Sequence, residues 1–494
     1  MNGVDGAAAL LEAMTERLAS GDRFAGLFGS GAPTKGVTIT GMLATSEDVE
    51  LLDAELAPGA VRYPTMSREI KPAFWYERAL HDLFGVVAEN HPRLDPLILP
   101  HDEQYDPLPC PGASSSPDRV VPDERAIPQR VLGTGVFTIP HGPVRSGVFE
   151  SVEYVIETPG EDIPHLNVRP YAKHRGVQNR FQDLSVHHGM LLAERVEGVA
   201  SVAHALAYAH AVERLAGVTV PPAAALVRVV HAELERIANH LDVAMKLADA
   251  AGLAVAVARF GLHKERCLRL IGAMCGSRFG RGVVLPGGVT AVPRMPPAHL
   301  RARLDALAEG IRGDADALMD TPSFLDRLRG TGSLSHEQAR VHGALGPVGR
   351  ASGVYDDARW VRPYDAYPRL EPVVGDRRGG DDAMARLQVR WEEVNDSVAL
   401  IRQATELLEL AGGDSLRVPL RVPAGRAVGW AEAPQGEVLY VVAVNDDGRI
   451  ERCAPRSASF HNLAVFASTF RGDVLTDFPF IEASFGLSIA GAVL

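Results

Sequence analysis

The chain has 494 residues and a formal net charge of −12 at pH 7, with 46% hydrophobic and 23% charged residues. This composition predicts a globular protein of two to four domains with large buried cores. The negative charge argues against nucleic acid as a partner, because phosphate binding needs a basic stripe and the sequence shows none.

The N-terminal segment is predicted to be an amphipathic helix. The first twenty residues lack a basic leader region and carry Glu12 and Glu16 within an apolar pattern, which argues against a signal peptide. No uncharged apolar run approaches the ~18 residues that a membrane span requires, so we expect no direct membrane span. The four cysteines show no ligand or disulfide spacing, which is typical of a reducing cytoplasm, and we interpret them as structural or incidental.

Composition and periodicity predict two folded units joined by a linker. Residues 1–100 form the first unit, residues 101–132 form a linker dense in Pro, Ser and Asp, and residues 133–494 form the second unit. In the second unit, Val152, Tyr154 and Ile156 alternate as in a strand. Helices are predicted over residues 200–215, 222–249, 255–275, 297–329 and 387–411, and the last eighty residues are strand-like.

The first unit carries one distinctive run, WYERALHDLFG at residues 75–85, followed by ENHPRL at residues 89–94. The residues alone predict a helix end and a capped turn. Gly85 supplies permissive backbone there, and Pro92 stops the following segment.

The second unit contains the densest set of polar motifs. The run YAKHRGVQNR at residues 171–180 holds a basic turn, and ERVEGVASVAH at residues 194–204 leads into the helix predicted from residue 200. In VRVVHAELERIANHL at residues 227–241, His231 and His240 lie on opposite helix faces, which excludes them as a metal-binding pair. Glu233 and Arg236 are three residues apart and are expected to fix helix packing.

These motifs resemble, in the same order, those of the large subunit of membrane-associated nickel–iron (NiFe) hydrogenases of the formate hydrogenlyase and hydrogenase-4 type. The hydrogenase motif E-R-(I/V)-C-G-(I/V)-C-S-x-x-H corresponds to residues 194–204. The motif D-F-P-x-I-x-A-S-x-D-P-C-x-x-C corresponds to DFPFIEASFGLSIAG at residues 477–491. The chain also resembles the complex I relative of this subunit, which lines the quinone pocket, and residues 75–94 are similar to the small α+β subunit beside it.

The resemblance implies an α+β fold. We expect a small N-terminal α+β domain, followed by a mainly helical domain that is similar to the hydrogenase large subunit and carries small peripheral β-sheets. The loop GPVGRASG at residues 346–353 matches the family pattern G-P-x-x-R-A-S-G, although its residues alone predict only a connection between helices.

The chain departs from the family at all four cysteine positions, which carry Glu197, Ala200, Ser488 and Gly491. The resemblance implies that four thiolates hold the NiFe centre, because soft sulfur donors stabilise the metals. One carboxylate, one hydroxyl and two positions without a donor cannot replace them, so we expect no NiFe centre. A different metal at Glu197 and His204 is also disfavoured, because seven helical residues would separate them by ~10 Å along the axis.

The candidate site residues are Glu150, His174, Arg175, Glu197 and His204. They would form a cavity of paired acids and cations with shifted pKa values, which suits proton transfer. The alternative interpretation is a polar network that holds a helix to a loop.

Quinone is the candidate substrate that the complex I resemblance implies. The Asp-Tyr pair of complex I falls on Glu197 and Gly198, so the acid is kept and the phenol is not. His141, which could stand for a quinone-contacting His, is predicted to be a turn residue instead.

The function that the resemblance implies is a subunit of a membrane-associated hydrogenase-like or NADH-quinone oxidoreductase-like complex. We expect electron transfer or redox-coupled proton transfer without a NiFe centre in this chain, and the alternative is a non-catalytic scaffold. The expected partners are a small subunit that carries iron–sulfur clusters and integral membrane subunits. Through them the chain would lie in the cytoplasm, on the inner face of the cell membrane.

Overall fold

A computed structural model describes residues 2–4, 6–60, 62–99, 131, 133, 135–145, 150–373, 379–411 and 415–494. The predicted linker 101–132 with Cys110 therefore lies outside the described residues, apart from residue 131.

The N-terminal unit is a four-stranded sheet covered by one helix. The helix α1 (Gly6–Ala19) buries Ala7, Leu10 and Met14 against the sheet, which confirms the predicted amphipathic helix. A short parallel strand that precedes α1 was not predicted. The strands, in the sheet order β1-β4-β3-β2, are β1 (Asn2–Val4), β2 (Arg23–Ala32), β3 (Gly36–Ala44) and β4 (Val49–Leu56).

The signature run at residues 75–85 forms α2 (Ala73–Phe84), which lies between β5 (Arg62–Pro64) and its parallel partner β6 (Val87–Glu89). Glu77 accepts hydrogen bonds from the Thr65 hydroxyl at 2.7 Å and the Met66 amide at 2.8 Å. Gly85 ends the helix at φ 69°, which confirms the predicted permissive turn.

The second unit opens with an antiparallel sheet of β7 (Phe137–His141), β8 (Glu153–Thr158) and β9 (His165–Arg169). The predicted strand through Tyr154 and Ile156 is confirmed. The prediction that His141 is a turn residue is wrong, because its backbone pairs with Tyr154 at the end of β7.

A helical layer forms the centre of the molecule. The helix α6 is buried along nearly its whole length and packs against α7 and α13. Its apolar residues join the core of these helices, and its buried Arg228, Glu233 and Arg236 form ion pairs. In chain order, the α-helices from β9 to the end of α13 are α3 (Val177–Arg180), α4 (Val186–Ala193), α5 (Ser201–Ala216), α6 (Pro222–Ala250), α7 (Ala254–Cys275), α8 (Pro297–Met319), α9 (Pro322–Leu328), α10 (His336–Val341), α11 (Gly346–Ala351), α12 (Ala358–Val361) and α13 (Ala383–Leu410).

Two helix predictions in this layer need correction. The single helix predicted over residues 297–329 is two helices, α8 and α9, because Pro322 starts a new helix after Thr321. The helix predicted from residue 387 begins earlier, since the Asp382 side chain caps it by accepting from the Ala385 amide at 2.8 Å. A small hairpin of β10 (Val284–Leu285) and β11 (Gly288–Val289) lies between α7 and α8.

The last eighty residues are only partly strand-like. A meander of β12 (Gly425–Ala433), β13 (Gly436–Val444) and β14 (Ile450–Arg456) packs on α5. The rest is helical, as α14 (Ala458–Phe466), α15 (Phe478–Phe485) and α16 (Ile489–Val493). The strand prediction is wrong there because Ser457 caps α14, accepting from the Ser459 amide at 3.1 Å.

The two units share an interface that is both apolar and ionic, and Phe28 and Met42 of the N-terminal sheet belong to one buried cluster with Trp430 and Leu439 of the meander. Arg23 of β2 pairs with Asp356 at 2.5 Å and with Glu437 at 2.7 Å, and Arg426 pairs with Asp53 at 2.6 Å. The ion pairs fix the N-terminal sheet against the C-terminal meander.

Among the helices of the described ranges, none combines the length and the apolar character needed to cross a membrane.

Candidate functional site

The site is built where the loop before α5 meets the start of α16. Helix α5 begins only at Ser201, so residues 197–200 form a turn instead of a helical continuation. The turn places the Glu197 side chain against α5, and Glu197 Oε2 lies 3.1 Å from His204 Nε2. The expected ~10 Å separation of these two side chains, which assumed continuous helix, is therefore wrong.

Glu197 has a second partner from the C-terminal part of the chain. The Ser457 hydroxyl donates to Glu197 Oε2 at 2.9 Å, so one carboxylate oxygen takes two hydrogen bonds. The other oxygen, Oε1, is buried and has no hydrogen-bond partner among the described residues. Glu197 is only 1% exposed, so both its bonds are made away from bulk water.

His204 extends this contact to the meander. Its Nδ1 lies 2.8 Å from the Tyr440 hydroxyl, and its side chain is fully buried. Because a carboxylate can only accept, the bond to an ionised Glu197 places a hydrogen on His204 Nε2, and in a neutral imidazole Nδ1 then accepts from the Tyr440 hydroxyl. Burial raises the pKa of Tyr440 well above its usual value, so the phenol keeps its proton. The result is a hydrogen-bonded chain Ser457–Glu197–His204–Tyr440.

Gly491 explains how Glu197 fits. A Cβ built on Gly491 would lie 2.1 Å from Glu197 Oε2 and 3.0 Å from Ser457 Oγ. The Glu197 carboxylate thus occupies the space that a side chain at position 491 would need. Positions 197 and 491 are two of the four family cysteine positions. The Glu197 side chain stands at one of them and fills the space of the side chain that is missing at the other.

The other two cysteine positions carry no soft donor either. Ala200 is buried, and the Ser488 hydroxyl donates to Glu150 at 3.0 Å. These four side chains do not fit a NiFe centre, which needs four thiolates. Elsewhere in the described ranges, no group of three or more His, Cys, Asp and Glu side chains is arranged to hold a metal ion.

Glu150 and Arg175 hold α16 against the loop before α5. Glu150 accepts from the Ala490 amide at 2.6 Å in addition to Ser488. Arg175 Nη2 donates to the carbonyls of Val196 at 2.5 Å and Ala490 at 2.8 Å. Burial lowers the pKa of Arg175, and the nearby Glu150 and Glu197 oppose that shift.

His174 contacts the backbone of α16 at Val493. Its Nδ1 lies 2.6 Å from the Val493 carbonyl, and burial lowers its pKa, so a neutral ring donates to the chain's last helix. It forms no hydrogen bond with Glu197, whose carboxylate bonds to His204 and Ser457. Of the five predicted residues, the structure therefore brings Glu150, Arg175, Glu197 and His204 together around 488–491 and leaves His174 at the edge.

Glu235 is a site residue that the sequence did not reveal. Its carboxylate accepts from the amides of Val202 at 2.7 Å and Ala203 at 3.0 Å, at the start of α5. Burial, together with the nearby charge of Glu197, raises the pKa of Glu235 to about 8. Together with Gly198, Glu235 lines a cavity of about 90 Å³ beside the Glu197 turn.

A large buried network of ion pairs includes Glu233 and Arg236 of α6. Glu233 and Arg236 are 3.2 Å apart, which confirms the predicted packing pair. Arg359 joins Glu233 at 3.1 Å, while Arg350 reaches Glu393 at 2.7 Å. The GPVGRASG run, predicted to be a connection between helices, instead forms α11 over Gly346–Ala351, and its Arg350 anchors this network.

A small α+β unit joined to a helical unit, with positions 197 and 491 next to each other, agrees with the class that the sequence motifs indicate, which is that of hydrogenase large subunits and their complex I relatives. Comparison with known proteins agrees. The family model of the respiratory-chain NADH dehydrogenase 49 Kd subunit matches residues 253–417 and 414–492, and that of the 30 Kd subunit matches residues 34–109.

Individual relatives cover most of the chain. A carbon monoxide-induced hydrogenase of Rhodospirillum rubrum is 31% identical over 70% of this chain and 96% of its own length. Formate hydrogenlyase subunit 5 of Escherichia coli is 26% identical over 85% of this chain and 75% of its own. The C/D protein of the NADH-quinone oxidoreductase of Gluconacetobacter diazotrophicus is 27% identical over 88% and 80%. The chain belongs to the family of hydrogenase large subunits and complex I 49 Kd subunits.

Proposed function

We propose that this chain is a subunit of a membrane-associated redox complex of the hydrogenase or NADH-quinone oxidoreductase type, and that it works without a NiFe centre of its own. Family membership over most of the chain supports the kind of complex. The side chains at positions 197, 200, 488 and 491 support the absence of the metal centre. Its partners would be a small iron–sulfur subunit and integral membrane subunits, which would hold it on the cytoplasmic face of the membrane.

The proposed role in that complex is redox-coupled proton transfer at Glu197. The observation that carries it is the direct bond between the buried Glu197 carboxylate and His204, at a position where the family has a metal-binding thiolate. Electrons would arrive from the iron–sulfur subunit and pass to quinone or another acceptor. A proton taken up by Glu197 changes its bond with His204 Nε2, and the imidazole is held by the Tyr440 hydroxyl at Nδ1.

A non-catalytic scaffold is the second candidate, and the contact at Gly491 favours it. Because the Glu197 carboxylate fills the space beside Gly491, it joins the α5 turn to α16 and Ser457 in the way a structural brace does. In this case Glu197 contributes to the stability of the fold, and the redox chemistry belongs to the partner subunits.

The Glu197→Gln substitution separates these two roles. Glutamine keeps the shape of the side chain and removes the charge that accepts a proton. If Glu197 takes part in proton transfer, quinone-dependent electron transfer by the intact membrane complex, normalised to assembled subunit, should fall by ~10²–10⁴-fold. If Glu197 is a brace, the variant should lose roughly 1–3 kcal/mol of stability and keep its normalised rate.

Glu194→Gln provides a matched control from the same loop. Glu194 is 2% exposed and accepts from the Gly282 amide at 2.5 Å, so the same change is made at a buried carboxylate whose hydrogen bonds do not involve His204. Its normalised rate should match that of the wild type. Equal rates for Glu197→Gln and Glu194→Gln would remove Glu197 from the chemistry, and no quinone reduction by the wild type would remove the quinone proposal.

A further inference from the structure

A cavity of about 300 Å³ lies where the N-terminal unit meets the first sheet of the second unit. Its walls come from the start of α2 and the segment after β6, from the edge strand β9, and from the 3₁₀ turn Ala467–Phe470 that follows α14. A volume of this order is at the lower end of the ~300–1,000 Å³ that small-molecule sites in proteins enclose. The cavity shares no lining residue with the Glu197 site.

The charged side chains that line this cavity are cationic. They are Arg93 and Arg471, and no Asp or Glu of the described ranges lines it. Arg93 reaches Asp95 at 2.6 Å, but Asp95 also pairs with Arg78 at 3.0 Å, so one carboxylate serves two guanidiniums. Arg471 is exposed and forms no ion pair with a residue that the structure describes. The cavity therefore carries a surplus of positive charge, on a chain whose formal net charge is −12.

An amide next to Arg93 adds a hydrogen-bond donor. Asn167 Oδ1 accepts from Arg93 Nη2 at 2.7 Å, and because a guanidinium can only donate, this contact assigns the other polar atom of Asn167, Nδ2, as a donor. Nδ2 has no hydrogen-bond partner among the described residues, although Asn167 is only 3% exposed. Glu157 lies opposite His165 on β8 and does not line the cavity. The polar side of the cavity is thus rich in donors.

The remaining wall of the cavity is apolar. Phe74, Trp75 and Phe470 supply aromatic rings, and Ile163 and Leu166 supply aliphatic side chains. Pockets with such walls and a few polar groups bind molecules that have an apolar body and a polar group to fix their orientation. An inorganic ion alone would fill only the polar side.

We propose that this cavity binds a small organic carboxylate. The carboxylate group would lie between the guanidiniums of Arg93 and Arg471, since the planar fork of an arginine fits a carboxylate. Asn167 is already in contact with Arg93 and would be a further donor at the same place. The apolar body of the ligand would lie against Trp75 and Phe470, so the bound molecule would contact both units of the chain.

Equilibrium dialysis with radiolabelled phenylacetate tests the proposal, because this probe joins a carboxylate to an apolar ring. The purified full-length chain, with whichever subunits copurify, should bind it saturably, at one molecule per chain. Phenylacetamide, which has a similar shape without the charge, should compete at least about tenfold more weakly. Absence of saturable binding would overturn the proposal. Inorganic phosphate should also compete more weakly than unlabelled phenylacetate, and a phosphate that competes better would rule out a carboxylate as the preferred ligand.

Arg471→Gln removes one cation from the cavity. Because Arg471 is exposed, the fold should stay intact, and the dissociation constant for phenylacetate should rise at least about tenfold through the loss of one charge-assisted hydrogen bond. Arg329→Gln is the matched control, since Arg329 is also exposed and lies outside the cavity. Its dissociation constant should equal that of the wild type. Equal constants for the two variants would contradict the proposal.

Asn167→Asp changes the opposite side of the same place. It keeps the shape of the side chain and an acceptor for Arg93, but it puts a negative charge beside the ligand. Binding should therefore fall further than in Arg471→Gln, because like charges repel across the contact. The urea midpoint of this variant, read by pulse proteolysis, should be no lower than that of the wild type, since the new carboxylate pairs with Arg93. Undiminished binding by folded Asn167→Asp would show that phenylacetate binds elsewhere, and Arg471→Gln decides the question if Asn167→Asp does not fold.

Discussion

Glu197 and Gly491 are complementary, and a methyl group at position 491 should displace the carboxylate. In Gly491→Ala, the new Cβ would lie 2.1 Å from Glu197 Oε2, far inside van der Waals contact. Either the carboxylate leaves His204 and Ser457, or α16 moves away from the α5 turn. Unpaired buried donors cost about 1–3 kcal/mol each and overpacking costs a similar amount, so we expect a loss of about 2–5 kcal/mol.

A double-mutant cycle tests whether the two positions act through each other. Glu197→Ala should also destabilise the fold, by about 2–4 kcal/mol, because it leaves His204 and Ser457 unpaired. In the double variant the added methyl group at position 491 meets no carboxylate, so the combined loss should be smaller than the sum by about 1–3 kcal/mol. Urea midpoints from pulse proteolysis of the assembled protein give the three values.

Gly198→Ala is the control, because a Cβ at Gly198 meets nothing within 4 Å. It tests the same turn and the same chemical change without the clash, and its midpoint should stay close to that of the wild type. Equal midpoints for Gly491→Ala and Gly198→Ala would refute the reasoning. Strict additivity of Glu197→Ala and Gly491→Ala would show that the two residues do not share the space.

The remaining predictions concern metal content, association and pH. The purified chain should contain no stoichiometric nickel, because the four thiolates are missing; elemental analysis that finds about one nickel per chain would contradict this. Expressed alone, the chain should aggregate or remain with chaperones, since a subunit of a large complex exposes its interface, and a well-behaved monomer in sedimentation would count against it. Glu235 has a folded pKa of about 8 against an unfolded value of 4.5, so its stabilising contribution is complete below pH 4.5 and is lost as pH rises through 8. Unfolding midpoints between pH 5 and 8 should therefore fall less steeply in Glu235→Gln than in the wild type.

The central helices could be predicted from the sequence because their signals are local. The bounds of α5, α6 and α7 agree with the prediction to within one residue, since Pro222 starts α6 and glycines end the other two. The α+β fold class is also confirmed, because the family motifs follow each other in order along both units.

The site itself was harder to predict because its contacts join distant parts of the chain. Tyr440 is 236 residues from His204, and Ser457 is 260 residues from Glu197, so no spacing rule relates them. The one local error was to continue α5 back to Glu197. The ERVEGVA run has no helix cap, and its turn became visible only in the structure.

The C-terminal motif carries a glycine, Gly491, at a family cysteine position, and the chain fills the space of the missing side chain from another element. Glu197 reaches into this space and forms hydrogen bonds with His204 and Ser457. Because the Glu197 carboxylate contacts both α5 and the start of α16, a change at position 491 cannot be confined to packing. Variants at 491 should therefore also disturb the hydrogen bond between Glu197 and His204.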